Sequence, residues 1–293
     1  MNANNLFPLL SPAEVSPVIL TEPEFYCEGP CVDELGNLYF TNLKGGFITR
    51  MDTDGNQSSW ATAPCPNGQR IMKNGDHLVC DSVEATVKRF DPSGSFVENA
   101  AQGMCEDLEI RVPNDLIIDH QNGFYFTDSV RHTGAVYFYP FEGTPSVVAR
   151  SIDYANGIAL SVNKDQLFIA ESFRNRILVL DLDEPGSTRS RTQVFADLPV
   201  NKNDSITGNL PDGIAFDVEG RLWVAHYGMQ SLQVFSAAGD LLATYDTGIP
   251  LTSNLCFAGK ERSSIYVTGG TAEPGPGLFS RLDVGVKGLN LLD

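Results

Sequence analysis

Short apolar runs bounded by glycine, proline or asparagine recur along the whole chain, and they recur in pairs. In Leu210-Pro211-Asp212-Gly213-Ile214-Ala215-Phe216 and Gly220-Arg221-Leu222-Trp223-Val224-Ala225-His226 an apolar strand, a glycine turn and a second apolar strand follow one another. The runs are β-branched or aromatic and too short for helices, which excludes a helical reading. Paired as an antiparallel hairpin, Asp212 and His226 return to the same end.

The pair occurs six times. Its opening residues are Glu28, Asn67, Asn114, Asn156, Asp212 and Asn254, and its closing residues are Asn42, Asp81, Asp128, Glu171, His226 and Thr268. Opener and closer are 14 residues apart in five copies and 15 in the fourth, and successive openers lie 39, 47, 42, 56 and 42 residues apart. A third strand follows in most copies (46–50, 86–90, 135–139, 176–180, 232–235), then a turn and a weaker fourth strand. Four-stranded units at a period of about 40 to 50 residues predict an all-β, six-bladed β-propeller around a central channel. It forms one domain over residues 1–293. The proline-rich segment 1–22 supplies Val18-Ile19-Leu20 to the last blade, which lacks a strand, and so closes the ring. A two-sheet sandwich is the alternative.

In a propeller the first strand of each blade lines the channel, so the openers gather near the axis at one mouth. All six openers carry a side-chain oxygen. Carboxylates and amide carbonyls converging without sulfur suit a hard cation such as calcium or magnesium. Asn-Gly and Asp-Gly also make turns, so any one opener is explained as a loop cap. Six at one register position are not, although Asn67 and Asn254 taken singly read as turn residues.

Composition narrows the partners. Hydrophobic residues are 42% and charged residues 19%, enough for a large core. With 37 acidic and 20 basic side chains the net charge is −17, which argues against nucleic acid and anionic membranes. Cys27, Cys31, Cys65, Cys80, Cys105 and Cys256 show no CxxC spacing and read as buried thiols, not as a zinc site or disulfides. No export signal or 18-residue apolar stretch occurs, so the expectation is a soluble cytoplasmic protein, monomeric or a small homo-oligomer.

Glu28-Gly29-Pro30, Pro113-Asn114-Asp115, Asn156-Gly157-Ile158-Ala159-Leu160 and the stretch from Leu210 to Ala225 resemble the SMP-30 (senescence marker protein-30)/gluconolactonase/luciferin-regenerating-enzyme family, in the family's order and from about residue 28 to 270. The resemblance implies a six-bladed propeller that hydrolyses lactones with one divalent cation, usually Ca²⁺, with Mg²⁺, Mn²⁺ or Zn²⁺ as alternatives. It implies Glu28, Asn114, Asn156 and Asp212 as the metal ligands. Some members carry a substrate-binding arginine two residues before the middle asparagine; here that position is Val112, and Arg111 is one step further away.

On this basis a small-molecule lactone is the expected substrate, a sugar lactone first. Asp212 is the candidate base, with Asp128 and His226 as further catalytic candidates. Arg111, Asp115, Arg131 and His132 are the candidate substrate contacts. The polar segment 201–209 is either a lid or an outer insertion. A phosphotriesterase- or diisopropylfluorophosphatase-like hydrolase and a non-enzymatic calcium-binding propeller are the competing readings.

Overall fold

The computed structural model describes residues 7–201 and 210–291. Six antiparallel sheets, five of them built from strands consecutive in sequence, form the blades of a β-propeller. Blade one comprises Cys27–Val32, Leu38–Asn42, Phe47–Met51 and Gln57–Thr62; blade two, Pro66–Ile71, His77–Asp81, Thr86–Phe90 and Phe96–Gln102. Blade three comprises Pro113–Asp119, Gly123–Asp128, Gly134–Pro140 and Ser146–Ile152; blade four, Ala155–Leu160, Gln166–Glu171, Arg176–Glu184 and Gln193–Asp197. Blade five comprises Leu210–Phe216, Leu222–Tyr227, Ser231–Phe235 and Leu241–Asp246. Blade six holds Leu251–Ala258, Ser264–Gly270 and Gly277–Asp283, and its outer strand is the N-terminal Val18–Thr21, paired Val18 to Arg281 and Ile19 to Ser280.

Each strand alternates its side chains between two faces, and each face meets the next blade. The core is therefore a ring of six apolar seams. Ile48 and Val79 fill the seam between blades one and two, Leu116 and Phe126 the next, and Val136 and Ile158 the third. Phe168 and Ile214 join blades four and five, and Trp223 and Leu255 join five and six. Phe40 and Phe279 close six onto one, with Leu20 of the N-terminal strand packed against them. Burial of each such side chain contributes about 1.5–3 kcal/mol.

All six inner strands carry a bulge near the opener. One extra residue sits between Glu28 and Cys31, Pro66 and Gln69, Pro113 and Leu116, Ala155 and Ile158, Pro211 and Ile214, and Thr252 and Asn254. A bulge re-aims the side chain beside it, and here it turns the openers toward the axis. Blade six is offset by one position. Its partner strand reads Val267-Thr268-Gly269, in line with Phe40-Thr41-Asn42 and Phe126-Thr127-Asp128, and Asn254 pairs with Thr268. The sixth opener is therefore Ser253 and the sixth closer Gly269, not Asn254 and Thr268. All six cysteines are buried free thiols.

Candidate active site at one mouth of the channel

Two layers of side chains stand across the channel. The outer layer is the opener ring: Glu28, Asn67, Asn114, Asn156, Asp212 and Ser253, all buried. The inner layer, one residue further along each strand, is Gly29, Gly68, Asp115, Gly157, Gly213 and Asn254. At the four glycines no side chain fits. A Cβ on Gly29 would lie 2.5 Å from the Asn67 carbonyl, and one on Gly157 2.1 Å from the Asp212 carbonyl. On Gly68 it would meet Asp115 Oδ1 at 2.4 Å, and on Gly213 it would meet Asn254 Oδ1 at 2.1 Å. The glycines leave the axis to the two side chains from opposite blades. Asn254 Nδ2 faces Asp115 Oδ2 at 3.3 Å and Glu28 Oε2 at 3.0 Å. From the far side the guanidinium of Arg70 approaches Asp115 Oδ1 to 3.7 Å. Together these groups plug the channel beneath the ring.

The ring itself is electrostatically unsatisfied. Burial first, and the charge of Asp115 next, push the Glu28 carboxyl well above the ordinary range, while hydrogen bonds from the Gly29 amide, Asn254 and Ser253 oppose the rise. Asp212 is also raised well above the ordinary range, by burial and then by the charges of Glu28, Asp115 and Glu273. Two amide oxygens in the ring, Asn67 Oδ1 and Asn156 Oδ1, are buried without a hydrogen-bond partner. Asn156 is oriented by its other end: Nδ2 donates to Ser172 Oγ at 3.2 Å, and that hydroxyl donates to the Pro211 carbonyl at 2.8 Å. Orphaned acceptors beside two crowded carboxylates are costly unless a cation meets them. The donor set, oxygens only, fits a hard divalent ion. Among the described residues no three His, Cys, Asp or Glu side chains come together as a ligand group, so amide oxygens are indispensable to any such site.

The closers brace the mouth. Asp128 Oδ1 accepts the Val112 amide at 2.5 Å and the Arg111 amide at 3.3 Å, which fixes the approach to Asn114. Glu171 Oε1 accepts the Asp153 amide at 2.8 Å and does the same for Asn156. His226 is fully buried, its Nε2 is 3.0 Å from Asn175 Oδ1, and burial lowers its pKa to about 4, so the ring is neutral at pH 7.

The candidate substrate contacts separate into two groups. Asp115 is fully buried in the plug beneath the ring. Arg111 Nη2 donates to Thr133 Oγ1 at 3.0 Å on the surface, and Arg131 and His132 converge on Asp153 at 2.8 and 3.2 Å. The Arg131 guanidinium stacks on Phe173, 3.6 Å from its centroid. Of segment 201–209 only Asn201 falls within the described residues; 202–209 lie outside them.

Aromatic and acidic groups with no signature in the repeat complete the mouth. Tyr26 and Tyr227 lie with ring centroids 6.4 Å apart, and the Tyr227 hydroxyl donates to Glu273 Oε1 at 3.0 Å. The loop bearing Glu273 is pinned by the Tyr26 amide, which donates to the Pro274 carbonyl at 2.8 Å. Burial, followed by the charges of Asp212, Glu273 and Glu28, pushes the Tyr154 phenol up to about 12. Glu273 comes from a strand-to-strand loop outside the repeat, so no period could point to it.

Comparison with known proteins agrees with this architecture. The lactonase drp35 of Staphylococcus haemolyticus is 29% identical over 251 residues, 79% of this chain and 74% of that protein. The Staphylococcus aureus lactonase drp35 is 26% identical over 261 residues, covering 81% and 76%. Among solved structures, a Xanthomonas campestris gluconolactonase superposes with a TM-score of 0.79 at 22% identity, covering 94% of this chain and 91% of the other. Agrobacterium tumefaciens regucalcin, described as a calcium-binding protein, gives 0.77 at 20%, covering 94% and 95%. At these identities the two structures speak for the fold. The sequence profile of the SMP-30/gluconolactonase/LRE-like family matches residues 26–271, and the chain belongs to that family.

Proposed function

We propose that the protein is a divalent-cation-dependent lactonase whose reaction takes place at the opener ring, with Ca²⁺ as the resident ion and a sugar lactone as the first substrate to test. The observation that carries this reading is the pair of buried carboxylates, Glu28 and Asp212, beside the unpartnered oxygen of Asn156. Glu28, Asn114, Asn156 and Asp212 would hold the cation. When bound, it supplies Lewis acidity that polarises a lactone carbonyl.

The rest falls to the chain's own groups. Asp212, raised in pKa by burial and like charge, is the group suited to accept the proton of the attacking water. Opening adds that water across the acyl C–O bond and leaves a hydroxy acid. Ser172 keeps the Asn156 oxygen aimed into the ring. Tyr26, Tyr154 and Tyr227 present an amphipathic wall where a small ring can rest. The plug of Asp115 and Asn254 closes the floor, so substrate enters and leaves by one mouth.

Metal-stripped protein assayed on aldonolactones, aliphatic lactones and an aryl lactone, with Ca²⁺, Mg²⁺, Mn²⁺ or Zn²⁺ restored one at a time, tests the proposal. It predicts turnover with at least one cation and its loss in Glu28→Gln. Failure of every cation on every lactone contradicts it.

A further inference from the structure

At the other end of the channel, beyond the plug, opens a cavity of about 690 Å³. Every blade contributes to its wall from the late part of its inner strand: Val32, Ile71, Ile117, Ala159, Ala215 and Cys256. No opener reaches it. Its size falls within the range of about 300–1,000 Å³ typical of small-molecule sites, and its walls are largely aliphatic. A water-filled apolar space of this kind gains free energy when an apolar body replaces the water.

The charges around it are unevenly matched. At the inner end Arg70 is 6% exposed, and its Nε has no hydrogen-bond partner. Its Nη1 donates to the Gln69 carbonyl at 2.8 Å, and the nearest carboxylate, Asp115, is 3.7 Å away. At the rim, Arg262 also has a buried Nε without a partner. Neither Arg262 nor Lys260 forms an ion pair among the described residues. Of the acidic side chains at the same rim, Asp33 and Asp52 are engaged in their own turns, and Glu34, between Asp33 and the exposed Leu35, is the third. Asp33 accepts the amides of Leu35 and Asn37 at 3.0 and 2.8 Å, and Asp52 those of Asp54 and Asn56 at 3.0 and 2.8 Å.

We propose that this far mouth is a second ligand site, distinct from the opener ring, that takes one amphipathic organic anion with its apolar body among the six inner strands and its carboxylate or sulfonate at Arg262 and Lys260. Because the plug lies between them, the two sites fill independently. The proposal does not depend on the lactonase reading, since it is read by binding alone.

The test titrates the full-length protein with the fluorescent anion 1-anilinonaphthalene-8-sulfonate and displaces it with decanoate or with the uncharged decanol. The expected result is one saturable site, with decanoate displacing at least about tenfold better than decanol, the ratio of one charge-assisted contact. Ala215→Phe and Ala159→Phe, which fill the cavity, should weaken the probe by about tenfold or more. Arg262→Gln, at the rim, should abolish the preference for decanoate, with an unchanged melting transition as the check on folding. Unchanged probe affinity in either filled variant with an intact melting transition would overturn the site. Equal displacement by decanoate and decanol would overturn the anionic assignment. Should a filled variant fail to fold, Arg262→Gln still decides: retained preference for decanoate in that variant counts against the proposal.

Discussion

Glu28 and Asp212 share a buried ring; burial and the charge of Asp115 raise the proton affinity of Glu28, and burial and the charge of Glu28 raise that of Asp212. For a carboxyl whose folded pKa exceeds its unfolded value, the stabilising effect is complete below the unfolded pKa and is lost as pH rises through the folded one. The Glu28 carboxyl is pushed up to about 7. Metal-free protein should therefore lose thermal stability as pH rises from the ordinary carboxylate range through about 7. A bound cation should remove that loss, and its affinity should fall as the pH drops through the same range. Melting curves with and without Ca²⁺ check this; a metal-free melting temperature that is flat with pH contradicts it. Crowding of the backbone gives a second outcome. Gly157→Ala drives a methyl into the Asp212 carbonyl, 2.1 Å from the ideal Cβ, and should cost about 1–3 kcal/mol while displacing a ring carboxylate. Denaturant midpoints and cation affinity should both drop. How much of this was legible in the sequence varies by residue. Glu28, Asn67, Asn114, Asn156 and Asp212 recur at one register position, and the family resemblance singles out Glu28, Asn114, Asn156 and Asp212 among them. Asn254 carries the same amide as the other openers, whereas the bulge that puts Ser253 in the ring depends on a strand pairing that composition does not encode. Asp115, expected at the substrate, lies in the plug because glycines on neighbouring blades leave it the axis.

Among the elements, the hairpin from Leu210 to Tyr227 carries a structural carboxylate as well as a ring residue. Asp217 is fully buried and accepts from Arg221 Nε at 2.6 Å, Trp223 Nε1 at 3.0 Å and the Arg221 amide at 3.0 Å. Arg221 in turn donates to the Phe7 carbonyl at 2.9 Å, which ties the N-terminal segment to blade five. Asp217→Ala leaves a buried guanidinium unpaired and should cost about 3–5 kcal/mol. Chemical denaturation measures it, and a loss under about 1 kcal/mol would mean that Arg221 is solvated in the folded state. This network follows the sequence only in part. The hairpin was plain from its alternation and glycine turn, but the partners of Asp217 required the turn geometry that folds Glu219, Arg221 and Trp223 back onto it.

At the scale of the whole molecule, the six-bladed ring was readable because each blade repeats one hairpin and adds strands beside it. The N-terminal strand was readable because the last blade lacked one. What could not be read was the channel's division into two ends: that depends on side chains from opposite blades meeting at 3.3 Å, Asn254 against Asp115, although 139 residues separate them. The proposed reaction lies at the mouth on the opener side. The measurement that tests it most directly is hydrolysis of an aldonolactone by metal-stripped protein before and after Ca²⁺ is restored, run in parallel on wild type and Glu28→Gln. Turnover should recover in wild type and fall short by at least about a hundredfold in the variant, as expected for an interaction made at the reacting centre. Full turnover in the stripped protein, or equal recovery in Glu28→Gln, would contradict it.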